Sequence, residues 1–329
     1  MSLSQYLRKF ADGLAPNQDM LDKAGQATDM IQRVLQDTHG LSVARVVPLG
    51  SYAKKTSLGL KMDVDLHVFL NDEMPPFTSA KRKMVQTLRR SYSNVQEGSH
   101  AFKLNVNGVD VDVIPTVNMV NKYVREGNTV AENQLANVLY YLKHIAGPNV
   151  DKKRDFSTSV SECAVAFEKK HSAFSHAMSR LAKYWGNQHP FNLKGKSSIM
   201  EYLGARAAEN EESHGSQDLL NAFRRFLNMV EQPQSICVYW DDFYSLADIP
   251  QKIMKQRPLL LDPSNPHDNF FQGVSQEQYH LLSHFAKRTL AKLNEAERIG
   301  SIPAMFMDDG ASRSGKITIF WPKSITSMC

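Results

Sequence analysis

An α+β protein, mixed in its first half and helical in its second, is what the hydropathy periods of this chain indicate. Between residues 42 and 114, apolar residues recur at every second position in short runs, the period of half-buried strands. From 155 to 298 they recur at i, i+3 and i+4, the period of a helix face. Composition agrees: of 329 residues, 42% are hydrophobic and 22% charged. That is ordinary for a globular chain, is enough to bury a sizeable core, and excludes wholesale disorder or collagen-like repeats.

The elements follow in order. Leu7, Phe10, Leu14, Met20, Leu21, Ile31 and Leu35 place helix over 3–36, with Pro16 starting a second segment. Ser42 to Pro48 reads as a strand. Asp63 to Leu70 alternates polar residues with Val64, Leu66, Val68 and Leu70, a second strand that Pro75 and Pro76 end. Residues 78–93 read as helix. Strands over 101–106 and 109–114 are joined by Asn107-Gly108, a strong two-residue hairpin signal, and Pro115 stops the second. Helices are expected over 155–187, 197–208, 216–230 and 275–298, with loops at 187–196, 209–215 and 262–273 and a last strand over 316–321. The halves divide near Gly147-Pro148-Asn149, giving domains over 1–150 and 151–329. No low-complexity tether separates them, so they are expected to pack as lobes.

Lysine and arginine number 39 against 34 acids, a net charge of +5. That excess permits a local basic patch and does not by itself make a nucleic-acid binder. Cys163, Cys237 and Cys329 are odd in number and widely spaced, which excludes a disulfide framework and a CxxC zinc pair. The expected location is therefore a reducing compartment, the cytoplasm or the nucleus. The N-terminal segment is polar and amphipathic rather than a signal core, and no run approaches a membrane span. Cys329 is the last residue, so it does not read as a prenylation cysteine.

One constellation carries chemistry. Gly50-Ser51 follows a strand, Asp63 and Asp65 share a face of the next strand, and Asp112 lies on a later one, in VDVDVIP. If the two aspartate strands are neighbours, three carboxylates converge, and such a set suits a hard cation, with magnesium expected. Two such ions clamp the attacking and leaving oxygens in phosphoryl transfer. Glycine lets the backbone approach a phosphate, and serine offers N–H and O–H donors. A D-x-D pair alone is more often the wet face of an edge strand. The conjunction with Gly-Ser and a third strand aspartate shifts the balance, because close carboxylates repel unless a cation compensates them.

The stretch GSYAKKTSLGLKMDVDLHVFL (50–70) resembles the nucleotidyltransferase core of the 2′-5′-oligoadenylate synthetases and their cyclic GMP-AMP synthase-like relatives. The blocks VDVDVIPT, DFSTSVSE, SRLAKYW, SICVYWDDFY and RPLLLDPSNPHDNF follow in that family's order. SICVYW and LLLDPSNP point to the oligoadenylate synthetase side. The resemblance implies a DNA polymerase β-like nucleotidyltransferase lobe, a helical C-terminal lobe and an active site in the cleft between them. It implies that Asp63, Asp65 and Asp112 bind two Mg2+ ions, with Asp112 also helping to activate the acceptor hydroxyl. Gly50 and Ser51 would hold the triphosphate of ATP. Arg180 and Lys183 would face nucleotide phosphates, and their i, i+3 spacing shares one helix face. The expected product is 2′-5′-linked oligoadenylate made from ATP, with GTP a further candidate nucleotide. Alternatives are a cyclic dinucleotide synthase, a non-catalytic RNA-binding relative and a template-free RNA-tailing enzyme. Ser197-Ser198 stands where the family has Gln-Tyr, which leaves base choice and linkage open.

The resemblance also implies double-stranded RNA as activator, in innate immune sensing, met by a basic stripe that reads shape rather than sequence. The candidates are Arg45, Lys54, Lys169 and Lys170, with Lys55 and the loop Lys152-Lys153-Arg154 as further ones. The run KRKMVQTLRR (81–90) reads as a solvated helix face. His67, on the aspartate face, reads as a partly exposed structural histidine, and Asp262-Pro263-Ser264-Asn265-Pro266 as a rigid turn. No membrane partner is expected, and a monomer is.

Overall fold

A computed structural model of the chain describes residues 2–60, 62–71, 73–98, 100–119, 156–242 and 244–299. The boundary expected at 147–149, Lys152-Lys153-Arg154, the strand over 316–321 and Cys329 lie outside the described residues. Two compact units are present. One takes its described residues from Pro16–His171 and Val238–Gln272, the other from Met1–Ala15, Ser172–Cys237 and Gly273–Cys329. Each gathers separated stretches, so neither coincides with a single cut near residue 150. None of the described helices is long and apolar enough to cross a membrane.

The sheet-bearing unit starts with helix α2 (Gln18–Gln36), after α1 (Leu3–Gly13) of the other unit. It continues through β1 (Val43–Leu49), the short α3 (Gly50–Lys54), β2 (Asp63–Leu70), α4 (Thr78–Arg89), β3 (Gln96–Glu97), β4 (Phe102–Val106) and β5 (Val109–Val117). The five strands are ordered β1-β2-β5-β4-β3, with β2 and β5 parallel and the other pairs antiparallel. Alternation decides the two faces. Val64, Leu66, Val68, Val111, Val113, Phe102 and Leu104 turn to one face, where Ala27, Ile31 and Leu35 of α2 and Met84, Val85 and Leu88 of α4 cover them. The other face carries Asp63, Asp65, His67 and Phe69. Its far end is closed by Val165 of α5 (Ser161–Lys170), which joins Phe69 and Leu49 in a small core.

Three local expectations change. Pro115 does not stop its strand, which runs on to Val117. The β4 partner has already ended opposite Val113, and Val117 N–H donates to Ser159 Oγ on that open edge, so a missing N–H two residues earlier costs no ladder bond. The helix expected over 155–187 is broken: α5 ends at Lys170 and α6 (Ala173–Asn187) begins after Ser172, whose Oγ accepts from Ser175 N–H at 3.1 Å. The stretch 262–273, expected as a loop, forms a buried hairpin of β7 (Leu259–Asp262) and β8 (Asn265–Asn269), in a small sheet with β6 (Cys237–Val238). Its polar residues are inside because they serve the backbone. Asp262 Oδ1 accepts from Ser264 N–H at 2.7 Å, Asn265 Oδ1 from His267 N–H at 3.0 Å, and Asn269 Oδ1 from Leu260 N–H at 3.0 Å. The four-residue α9 (Gln251–Met254) precedes this hairpin.

The helical unit holds α1, α6, α7 (Lys196–Glu212), α8 (Leu219–Glu231) and α10 (Gln276–Ile299). α6 packs Phe174, Ala177, Met178, Leu181 and Trp185 inward. Gly204 lets α7 approach closely, since a Cβ there would lie 3.0 Å from Ala182 Cβ. Asp218 caps α8 through Leu220 and Asn221 N–H, and Ser4 Oγ of α1 donates to the same Oδ1 at 2.9 Å. Trp185 Nε1–H donates to Thr289 Oγ1 at 2.9 Å, tying α6 to α10.

Candidate active site

The aspartates are set by strand register. β2 and β5 are adjacent and parallel, with Asp65 opposite Asp112 and Asp63 opposite Asp110. Paired residues in neighbouring strands project to the same side. Asp63, Asp65 and Asp112 therefore share one face, and Asp110 adds a fourth carboxylate to it. The intervening Val64, Leu66, Val111 and Val113 are fully buried on the opposite face and fix that orientation. Asp63 is exposed and Asp65 and Asp112 are half-buried, so this end of the face is open while His67 and Phe69 further along are covered.

Gly50 brings the turn against this face. Leu49 pairs with Asp65, and the chain then leaves β1 into α3. Gly50 has φ +58, and a Cβ built on it would lie 1.8 Å from Asp65 Oδ2. Its backbone sits so close to the carboxylate that only glycine fits. Ser51 is half-buried, its Oγ 3.0 Å from Ser57 Oγ.

Lys103 was not among the residues singled out from sequence. It lies on β4 directly opposite Asp112, and its Nζ donates to Asp112 Oδ2 at 2.8 Å. The bond to Asp112, with the added charges of Asp65 and Asp63, raises the lysine pKa above its ordinary value. One pair along, Asn105 Nδ2 donates to Asp110 Oδ1 at 2.8 Å. The signal that could have found Lys103 is the hairpin itself: a two-residue Asn107-Gly108 turn pairs Val106 with Val109 and so Lys103 with Asp112. As the side chains stand, no group of three His, Cys, Asp or Glu side chains among the described residues is placed to hold a metal ion. The donor set on this face, carboxylates alone, suits a hard divalent cation in chemistry, and the backbone already brings its members to paired positions. Asp112 is turned to an ammonium group instead.

A buried polar cluster lies along the covered part of the face. His67 is 4% exposed, not partly exposed as expected, with Nδ1 3.1 Å from Thr158 O. Burial lowers its pKa to about 4, the Thr158 contact acts against that, and the charge of Lys54 adds to the lowering. Burial and the nearby Asp268 raise the Asp262 carboxyl to about 6, against hydrogen bonds from Ser264 and the charge of Lys54. The segment expected to be a rigid turn is thus an ionisable part of the core. Ser157 Oγ donates to Asp268 Oδ2 at 2.7 Å and accepts from Asn265 Nδ2 at 3.0 Å.

The remaining expected site residues each lie within one of the two units. Arg180 and Lys183 lie on α6, in the helical unit. Lys183 is buried, its Nζ 3.4 Å from the buried Glu201 carboxylate of α7. Arg180 is half-buried, which lowers its pKa, with the charge of Asp12 acting against the shift. Of the RNA candidates, Arg45 is engaged inside its unit. It donates to Glu162 at 2.5 Å and Asn118 at 2.6 Å and stacks 4.0 Å over the Phe69 ring. Lys54 is buried at 9% exposure, so it offers no surface charge. Lys55 takes the left-handed position that ends α3. Lys169 and Lys170 are exposed, and Lys170 reaches Asp242 at 3.3 Å.

Two family models match the chain, one in each half. Residues 134–304 match the family model for 2'-5'-oligoadenylate synthetase 1, domain 2, C-terminus, just over half of the chain. Residues 1–135 match the Second Messenger Oligonucleotide or Dinucleotide Synthetase domain. The chain is 26% identical over 308 residues to 2'-5'-oligoadenylate synthase 3 of Mus musculus, covering 82% of this chain and 26% of that protein. It is 25% identical over 332 residues to 2'-5'-oligoadenylate synthase 2 of Bos taurus, covering 89% of this chain and 46% of that protein. The chain thus spans from a quarter to under half the length of these relatives. The solved structure of CdnC with ATP from E. coli MS115-1 superposes with a TM-score of 0.67 at 17% identity, covering 93% of this chain and 95% of that one, a likeness of fold. With its C-terminal half matched by one such model and its aspartate-bearing half by the other, the chain belongs to the 2′-5′-oligoadenylate synthetase family of nucleotidyltransferases.

Proposed function

We propose that this chain polymerises ATP into 2′-5′-linked oligoadenylates and is activated by double-stranded RNA. The observation that carries the reading is the register of β2 and β5, which sets Asp65 beside Asp112 against the Gly50 turn. In the reaction, the 2′-oxygen of an acceptor nucleotide forms a bond to the α-phosphorus of ATP. The bond from that phosphorus to the bridging oxygen breaks, and pyrophosphate leaves. Asp112 takes the proton of the acceptor hydroxyl, and its fixed place on the sheet orients that hydroxyl for in-line attack. Gly50 leaves the backbone bare beside Asp65, and Ser51 offers its hydroxyl to the triphosphate. Asp63, Asp65 and Asp112 would hold two magnesium ions, which when bound neutralise the charge on the phosphates. Arg180 and Lys183 as phosphate contacts belong to the same reading. Lys183 would have to give up some of its hold on Glu201 to serve.

For RNA, the exposed Lys55, Lys169 and Lys170 are the candidates among the described residues, because Arg45 is paired with Glu162 and Lys54 is buried. A second reading, a cyclic dinucleotide made in the same site, is favoured by the match of the aspartate-bearing residues 1–135 to a domain named for oligonucleotide or dinucleotide synthesis. Product analysis separates the two. The protein is incubated with Mg2+, ATP and GTP, with and without long double-stranded RNA, and products are resolved by anion exchange, weighed and treated with a 3′-5′-specific nuclease. A nuclease-resistant adenylate ladder that needs RNA is expected. A single cyclic species moves the protein to the second reading. Absence of any product, despite measurable RNA binding, would make it a non-catalytic relative.

A further inference from the structure

We propose that Lys103 is a built-in counter-ion of the carboxylate face, which occupies Asp112 until a divalent cation displaces it and so sets the affinity of the site for that cation. The inference rests on the reading of Asp63, Asp65 and Asp112 as the metal-holding set. Three observations support it. The cross-strand pairing of Lys103 with Asp112 is fixed by the backbone, so the ammonium is delivered to the carboxylate by register rather than by a chance rotamer. Nζ lies 2.8 Å from Asp112 Oδ2, on an aspartate 26% exposed, at hydrogen-bonding distance on an oxygen a metal would need. Asp65 is paired with Asp112 on the adjacent strand and Asp63 lies on the same face, so the ammonium stands beside the whole set.

An ammonium held there relieves the carboxylate repulsion that otherwise drives cation uptake. It cannot replace the cation, since it brings three donors and no open coordination. The lysine is 65% exposed, so its hold is that of a surface pair and yields to a divalent ion. Asn105 makes the equivalent bond to Asp110 without a charge.

The test is Mn2+ binding to the full chain without nucleotide, followed by electron paramagnetic resonance of the free ion. Lys103→Met is expected to bind Mn2+ about two- to five-fold more tightly than wild type, the range an exposed pair supports, and the gain should shrink at high salt. Lys103→Arg should stay near wild type. Lys23→Met, on the helix covering the opposite sheet face, removes the same charge and should change nothing. Equal affinity in wild type and Lys103→Met overturns the proposal while leaving the metal site standing. Asp112→Asn tells the two apart. If it binds Mn2+ as well as wild type, or if no variant binds at all, the metal-holding reading falls and the role of Lys103 falls with it.

Discussion

A methyl group at position 50 would lie 1.8 Å from Asp65 Oδ2, on a backbone already at φ +58. Gly50→Ala therefore costs about 1–2 kcal/mol in left-handed strain and pushes Asp65 off its place. A lowered unfolding midpoint and a loss of nucleotide transfer larger than that strain explains are the expected result, read by thermal melts beside turnover. Asp262 and His67 make a second pair of residue-level expectations. Between about pH 4 and 6 the folded chain keeps a proton on Asp262 that the unfolded chain has lost, so stability from this group falls as pH rises through that window. His67 does the opposite. Its folded value of about 4 lies below 6.5, so stability from it is lost as pH falls toward 4. The two slopes offset each other in the wild type. Asp262→Asn should gain stability with rising pH from 4 to 6, and His67→Gln should lose it, each by about 1.4 kcal/mol per pH unit at most. Denaturant titrations at pH 4, 5 and 6 check both, and parallel slopes in all three proteins would contradict the assignment. At this scale the aspartates and Gly50 were legible because alternation with valine and leucine fixes their face. The basic residues were not. Arg45 and Lys54 look in sequence like any surface charge, and only tertiary structure shows Arg45 half-buried on Asn118 and Glu162 and Lys54 buried near Asp262.

The hairpin of β4 and β5 is the element on which the edge of the site depends. Asn107 at φ 52 and Gly108 at φ 86 both sit in the left-handed region, which a two-residue turn of this kind requires. Gly108→Val should cost about 1–2 kcal/mol for that reason, although nothing crowds the position. In the helical unit, Asp218→Ala removes the cap of α8 and the partner of Ser4, and a loss of about 1–2 kcal/mol in chemical unfolding is expected. Strands and helices with clean periods could be read directly, and Asn107-Gly108 gave the hairpin. The β7–β8 hairpin could not, because its Asp, Ser and Asn residues have loop composition and are buried only through bonds to their own backbone. The break at Ser172 was hidden because apolar spacing continues across it.

For the whole molecule, family membership and the α+β fold agree with the expectation drawn from the ordered motif blocks. Domain limits are less legible, since α1 joins a unit with residues 172–237 and the stretch 238–272 returns to the sheet-bearing unit. Such returns depend on long-range packing that no local period encodes. The central claim is that the carboxylates on β2 and β5 perform nucleotidyl transfer. Its most direct test is release of pyrophosphate from ATP by the wild type, with Mg2+ and double-stranded RNA, beside Asp65→Asn and Asp112→Asn. Turnover by the wild type and its loss by about a hundredfold or more in both variants, with unchanged melting curves, is the predicted result. Near-normal turnover in either folded variant would contradict it.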